Sequence, residues 1–154
     1  MTQFKKDYTW GKESEIISLP DLRNIFTSDL NYDPYEFAHF DYYSDTHMIE
    51  LKTRDRVKVV DGVFNYTTRT GYEMILDSLY FDSPKQHYMF KQKKKGCTKD
   101  YWIVWKCNND YYGWLMTDDN NQFYIEHQNR DCGHGFKQPR HVFNIKTKYI
   151  KKLS

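Results

Sequence analysis

Asp41, Glu50 and Lys52 are the residues whose types and spacing suit chemistry best. They fall within residues 40–54, a stretch that reads as a tight β-hairpin. Residues 37–43 and 47–53 are rich in aromatic and branched side chains, and the short polar Ser44-Asp45-Thr46 lies between them. A two-residue turn at Asp45-Thr46 sets Asp41 opposite Glu50, Phe40 opposite Leu51 and Tyr42 opposite Ile49. Because side chains alternate along a strand, Ala38, Phe40, Tyr42, Ile49 and Leu51 are expected to share a core face. Asp41, Glu50 and Lys52 then share the other. Opposed Cβ atoms lie ~5 Å apart, and two carboxylates at that distance repel unless a cation sits between them. Mg²⁺ takes one or two carboxylates and fills its octahedron with water and phosphate oxygens. Lys52 on the same face would hold an attacking water or stabilise charge developing on a phosphate. A second reading stands beside this one: a charged face on an exposed hairpin, with Asp, Glu and Lys neutralising one another. Glu-x-Lys is short enough to recur by chance.

The hairpin needs elements that hold it. From Gly11 onward the chain reads as an amphipathic helix, with Glu15, Leu19, Leu22 and Phe26 on one stripe. Residues 1–10 read as a loosely ordered lead-in, so Glu13 and Glu15 are expected in the first turn, where acids suit the helix dipole. Pro20 predicts a kink or a break into two short helices. Glu15 on the inward stripe is either an acid serving that dipole or a third carboxylate aimed at the hairpin. Asn31-Tyr32-Asp33-Pro34 is a turn-rich link into the hairpin.

Beyond the hairpin, residues 57–64 are apolar around an Asp61-Gly62 turn, 67–71 form a polar loop, and 72–81 are a strand or the start of a buried helix. Ser83-Pro84 opens a second helix, with Ser83 as its cap and Gly96 as its stop. Lys91, Lys93, Lys94 and Lys95 crowd its end, which favours the dipole and equally suits a phosphate backbone. Residues 100–107 are the clearest strand, apolar enough to be central and buried on both faces. They pair as a hairpin with 111–117. A strand at 123–128, an irregular loop at 129–139 and a half-exposed final strand at 141–150 complete the chain.

The chain has 154 residues, enough for one domain spanning 1–154. Its net charge of +2 does not announce a nucleic-acid binder, and an aromatic fraction of 18 % favours a β-rich core. Cys97, Cys107 and Cys132 lack paired spacing and read as free thiols of an intracellular, reducing compartment. Cys132 and His134, completed by Cys97 and Cys107, are a weaker zinc candidate. No stretch has the length of a membrane span, and no signal-peptide pattern opens the chain. Helices segregated around a mostly antiparallel central sheet, with extra C-terminal strands, give an α+β fold, an α/β sandwich.

Glu15 on the first helix, Phe40-Asp41-Tyr42-Tyr43 on one strand and Ile49-Glu50-Leu51-Lys52-Thr53-Arg54 on the next resemble the PD-(D/E)XK nuclease superfamily. The closer likeness is to small nuclease-like proteins of large DNA viruses, through Trp10-Gly11-Lys12-Glu13-Ser14-Glu15, Leu19-Pro20 and the closing residues 141–146. The resemblance implies a restriction-endonuclease-like core: a helix, a three-stranded antiparallel meander, a second helix and a further strand. It implies a Mg²⁺- or Mn²⁺-dependent hydrolase cutting duplex or branched DNA, with a homodimer possible, working in host cytoplasm or nucleus or carried in the virion. Asp41, Glu50 and the Leu51 carbonyl would be metal ligands, Lys52 the catalytic lysine and Glu15 the helical acid. Gln86, followed by Phe90, matches a glutamine that some members place on the second helix. Arg54, Arg56, Gln86, Lys93, Lys94 and Lys95 are the candidate nucleic-acid contacts. Phe40 stands where the family motif has its proline, and Asp33, Glu36 or Asp45 are alternative partners for Glu50. The alternative function is a binding module or virion structural protein that keeps the fold without catalysis.

Overall fold

In the computed structural model, which describes residues 3–131 and 137–154, a long helix (α1, Gln3–Ile25) leads into three antiparallel strands. These are β1 (Asn31–Tyr32), β2 (Tyr42–Tyr43) and β3 (His47–Thr53). Then come β4 (Val57–Val60), β5 (Val63–Thr67), β6 (Glu73–Leu76), β7 (Ser78–Asp82) and a second helix, α2 (Pro84–Lys94). The chain continues through β8 (Asp100–Cys107), β9 (Asp110–Leu115), β10 (Phe123–Asp131) and β11 (Lys137–Lys146). A 3₁₀ turn (Thr147–Tyr149) and β12 (Lys151–Lys152) end it. The fold is α+β. One sheet has the order β1-β2-β3-β8-β9-β12 and is parallel only between β3 and β8. Two smaller antiparallel sheets, β4-β5-β6 and β10-β11-β7, complete it.

The period-two pattern of β3 and β8 explains the layering. Ile49, Leu51 and Val104 point to one side, where they join Leu22 and Leu30 in a core under α1. Ile103 and Trp105 point to the other, where they meet Met89 of α2, Leu79 and Phe81 of β7, and Phe143 and Ile145 of β11. Both faces of β8 are therefore covered, as its continuous apolar run predicts. Gly113 opens space on the α1 side: a Cβ there would lie 2.6 Å from Leu153 Cδ1 and 3.2 Å from Trp102 Cε3. Asp61 and Gly62 both take positive φ, the two-residue turn that suits strand twist, and β4 and β5 pair around them as the sequence predicts.

Several expectations are corrected. Helix α1 starts at Gln3, so residues 3–10 are helical, its first turn has no acid, and it runs through Pro20 as one element. Contacts of Leu19, Leu22 and Phe26 with the sheet hold it there. The expected strand at 37–43 shrinks to Tyr42–Tyr43, because residues 39–41 bend away from the ladder. That bend sends Phe40 into the core on the α2 side, against Tyr88 and Tyr101, and not onto the face of Tyr42 and Leu51. Ser83 precedes α2 in a helical backbone conformation and makes no side-chain cap bond. Within the predicted loop at 129–139, the described residues 129–131 and 137–139 form a ladder, with β10 paired to β11 out to Asp131 and Lys137. The final strand divides at the 3₁₀ turn, leaving β12 to pair with β9. Among the described residues, no helix is long and apolar enough to cross a membrane.

Candidate functional site

Tyr42 pairs with Ile49 and Tyr43 with Met48, and the Ser44 amide donates to the His47 carbonyl at 2.9 Å. This is the register that the Asp45-Thr46 turn demands, and it carries Asp41 to the position opposite Glu50. Asp41 then does something that strand periodicity does not foresee. Its main-chain carbonyl accepts from the Asp33 amide at 2.8 Å, on the β1 side. Its carboxylate Oδ2 accepts from the Leu51 amide at 2.8 Å, on the β3 side. The side chain thus satisfies a β3 amide just where β2 stops. This bond fixes the carboxylate against Glu50.

Glu50 is buried, 5 % exposed. Lys85 Nζ lies 3.0 Å from its Oε2 and Lys52 Nζ lies 3.6 Å from the same oxygen. Lys85 also donates to the His39 carbonyl and lies 5.4 Å from the centre of the Phe40 ring. Burial, the neighbouring Glu50 charge and their mutual hydrogen bond push the Asp41 carboxyl well above the usual range, and Glu15 adds to this. Burial also acts to raise Glu50, but the charges of Lys52 and Lys85 outweigh it and hold Glu50 below its ordinary value. The pair is therefore asymmetric: its surroundings favour the proton on Asp41 and the charge on Glu50, which two lysines face.

Glu15 approaches from α1. It lines the same small cavity, about 280 Å³, as Lys12, Glu36, Asp41, Glu50 and Lys85. Its Oε2 accepts from Tyr32 Oη at 2.8 Å and lies 3.6 Å from Lys12 Nζ. The Tyr42 hydroxyl donates to the Glu15 carbonyl, and burial together with the Asp41 and Glu15 charges keeps that phenol un-ionised. So the fold gathers Glu15, Asp41, Glu50 and Lys52 in one region, as the residue types suggest.

Two carboxylates pressed together, one of them fixed by the Leu51 amide, are a donor set that fits a hard divalent ion completed by water. The set is lean. Among the described residues no three His, Cys, Asp or Glu side chains converge as a metal cage, so Glu15 is at most an outer partner. Lys85 is the residue that sequence reasoning missed. A signal was present: a lysine in the first turn of a helix opposes the dipole, and needs a nearby anion to justify it.

The candidate nucleic-acid contacts divide. Gln86 is buried, 1 % exposed, and its Nε2 donates to the Thr117 carbonyl at 2.8 Å, so it reaches no ligand. It faces the core because α2 packs that side against the sheet. Lys93 turns back to the Lys99 carbonyl at 2.7 Å and lies over Tyr101. Lys94 and Lys95 lie one to two helical turns beyond Tyr88 and about 14 Å along the axis from Lys85. With Lys91 and the stacked rings of His39 and Tyr88 they border an open groove. Arg54 and Arg56 line a different cavity, of about 650 Å³, together with Arg69. Arg69 also escaped notice in the sequence, hidden in a threonine-rich loop.

Cys97 precedes β8 and Cys107 ends it, so the strand separates them by ~23 Å. They cannot complete one zinc site. Burial pushes the Cys107 thiol up to about 12, with the Arg54 charge opposing. Cys132 and His134 lie outside the described residues. No protein-family model matches the chain, and neither the search of curated proteins nor that of solved structures yields a match.

Proposed function

We propose that this chain is a metal-dependent nuclease, hydrolysing phosphodiester bonds in duplex or branched DNA at Asp41, Glu50 and Lys52. The observation that carries the reading is the asymmetric carboxylate pair, fixed by the Leu51 amide and flanked by Lys52 and Lys85. The element order supports it: α1, the antiparallel β1-β2-β3, then α2 leading to β8 beside β3, with β4 to β7 inserted after β3. A PD-(D/E)XK core has that order.

A bound Mg²⁺ or Mn²⁺ would supply an activated water and charge neutralisation at the phosphate. Asp41 and Glu50 would hold it, with the carbonyl of Leu51, next to Glu50 in the chain, at hand. The Leu51 amide keeps the Asp41 carboxylate from turning away. Lys52, tethered to Glu50, orients the attacking water or meets the developing phosphate charge. Lys85 stands on the other side of Glu50 and supplies a second cation there. Glu15, through its charge on Asp41, tunes the pair from α1.

The test is nicking or linearisation of plasmid DNA in Mg²⁺ or Mn²⁺. The parent should cut, and Asp41→Ala and Lys52→Ala should each lose at least about 100-fold. Equal cutting by those variants would sink the assignment. A second reading, a nuclease-like module without catalysis, has its own observation. Lys52 and Lys85 already neutralise Glu50, and Asp41 already serves the Leu51 amide. It predicts DNA or partner binding without cleavage.

A further inference from the structure

The arginine cavity lies apart from the carboxylates. Arg54 directly follows β3, four residues and ~13 Å beyond Glu50. Trp10, Tyr66, Tyr80 and Met74 line this cavity, and its volume of about 650 Å³ suits a small molecule. Three arginines line it against one carboxylate, Asp55. Among the described residues, no ion pair engages Arg54, Arg56 or Arg69. Arg54 spends one N–H on the Thr53 carbonyl, at 3.0 Å, and lies 5.5 Å from the centre of the Tyr80 ring. Arg56 and Arg69 are exposed at the rim. Trp10 and Tyr80 are also partly open, 46 % and 40 % exposed.

Guanidinium groups without carboxylate partners have planar forks that match the oxygens of a phosphate. Aromatic walls offer flat faces on which a planar ring stacks, whatever its substituents. A ligand that joins the two, a phosphate carried on a ring-bearing group, uses both halves of the cavity. We propose that this cavity binds a nucleoside monophosphate unit, its base among Trp10, Tyr66 and Tyr80 and its phosphate against Arg54, Arg56 and Arg69. Preference for a nucleotide over other ring-bearing phosphates rests on the nuclease reading, since Glu50 and Lys52 lie on β3, which Arg54 directly follows. The unit is either a free mononucleotide or the 5′-phosphorylated end of a strand whose scissile bond lies towards Glu50.

The experiment is titration of the full chain, followed by tryptophan fluorescence and calorimetry in chelator. The probes are AMP, dAMP, adenosine, inorganic phosphate, phosphotyrosine, and one short oligonucleotide with and without a 5′-phosphate. A nucleotide should bind at least about ten-fold more tightly than adenosine or phosphate alone. The double variant Arg56→Ala, Arg69→Ala should weaken it at least about ten-fold, and Trp10→Ala should remove most of the fluorescence change. Tighter binding of AMP and dAMP than of the phosphorylated oligonucleotide assigns the site to free nucleotide, and the reverse order assigns it to a strand end. Asp41→Asn should leave binding unchanged, and nucleotide binding by a parent chain that cuts no DNA would uphold the site while the nuclease reading fails. Nucleotide held no better than inorganic phosphate, phosphotyrosine preferred, or affinity indifferent to the arginines would overturn the proposal.

Discussion

Glu50 and Leu51 are neighbours on β3 and almost equally hidden, 5 % and 6 % exposed, yet opposite means hold them. Leu51 faces α1, where Leu22, Leu30 and Val104 surround it. Its burial needs no particular partner, only apolar volume, and any well-packed neighbour contributes. Glu50 faces the α2 side and depends on two named lysines, one from its own strand and one from α2. The α1 face is therefore a scaffold that many sequences would satisfy. The charged face is specific, and removing one member leaves the others uncompensated.

The largest expected effect tests the scaffold. Leu51→Ala should cost about 2–5 kcal/mol in chemical denaturation, as buried leucine truncations do. That loss should be the same with and without divalent metal. A metal-dependent loss would mean that the two faces are coupled.

Lys85→Met tests the charged face. It leaves Glu50 with only the longer Lys52 pair and should cost about 1–3 kcal/mol. Adding Glu50→Gln to the same chain should recover most of that loss, because the uncompensated charge is gone. Two losses that simply add would show that Lys85 stabilises through Phe40 and the His39 carbonyl and not through Glu50.

Asp41→Asn has the opposite sign. Asp41 holds its proton to higher pH in the folded chain than in the unfolded one. Stability therefore falls as pH rises from the ordinary aspartate value of about 3.9 to the raised one, and above that the cost is carried in full. Glu50, with its pKa lowered, contributes stability present above the ordinary glutamate value and lost as pH falls through its own. Asparagine keeps an oxygen for the Leu51 amide and removes the charge. Thermal melts at pH 7 should show a gain of about 0.5–2 kcal/mol, alongside lost cleavage. A melting temperature at or below the parent's would show that the Asp41 charge carries no such cost.

Ser83→Ala is the smallest. A capping serine is typically worth about 1 kcal/mol, but Ser83 makes no cap bond, so the change should stay within about 0.5 kcal/mol. A larger loss would mean that α2 starts on its cap and not on the anchors Lys85 and Gln86.

The sequence makes the β3 hairpin, its register and the central β8 legible, because period-two alternation and a short polar turn leave little freedom. It also shows the three charges of the site and the helical stripe that brings Glu15 to them. It does not show the bend at residues 39–41, where a side chain takes over from the main chain and reverses Phe40. Nor does it show which anion Lys85 meets: a first-turn lysine signals a partner, but the contact with Glu50 lies across the chain. Gln86 misleads for the same reason: its face on α2 is decided by the packing of Met89 against the sheet. The arginine cavity joins residues of β3, the loop after it and the loop after β5, which only the folded chain brings together.

Calorimetric titration with Mn²⁺ at mildly acidic pH, in two buffers of different ionisation heat, tests the central claim most directly. The Asp41 and Glu50 pair should bind one ion and release a proton on binding, since Asp41 must give up its own. Asp41→Asn should abolish both the binding and the proton. Absence of binding by the parent, or binding that Asp41→Asn leaves intact, would contradict a metal centre at this pair.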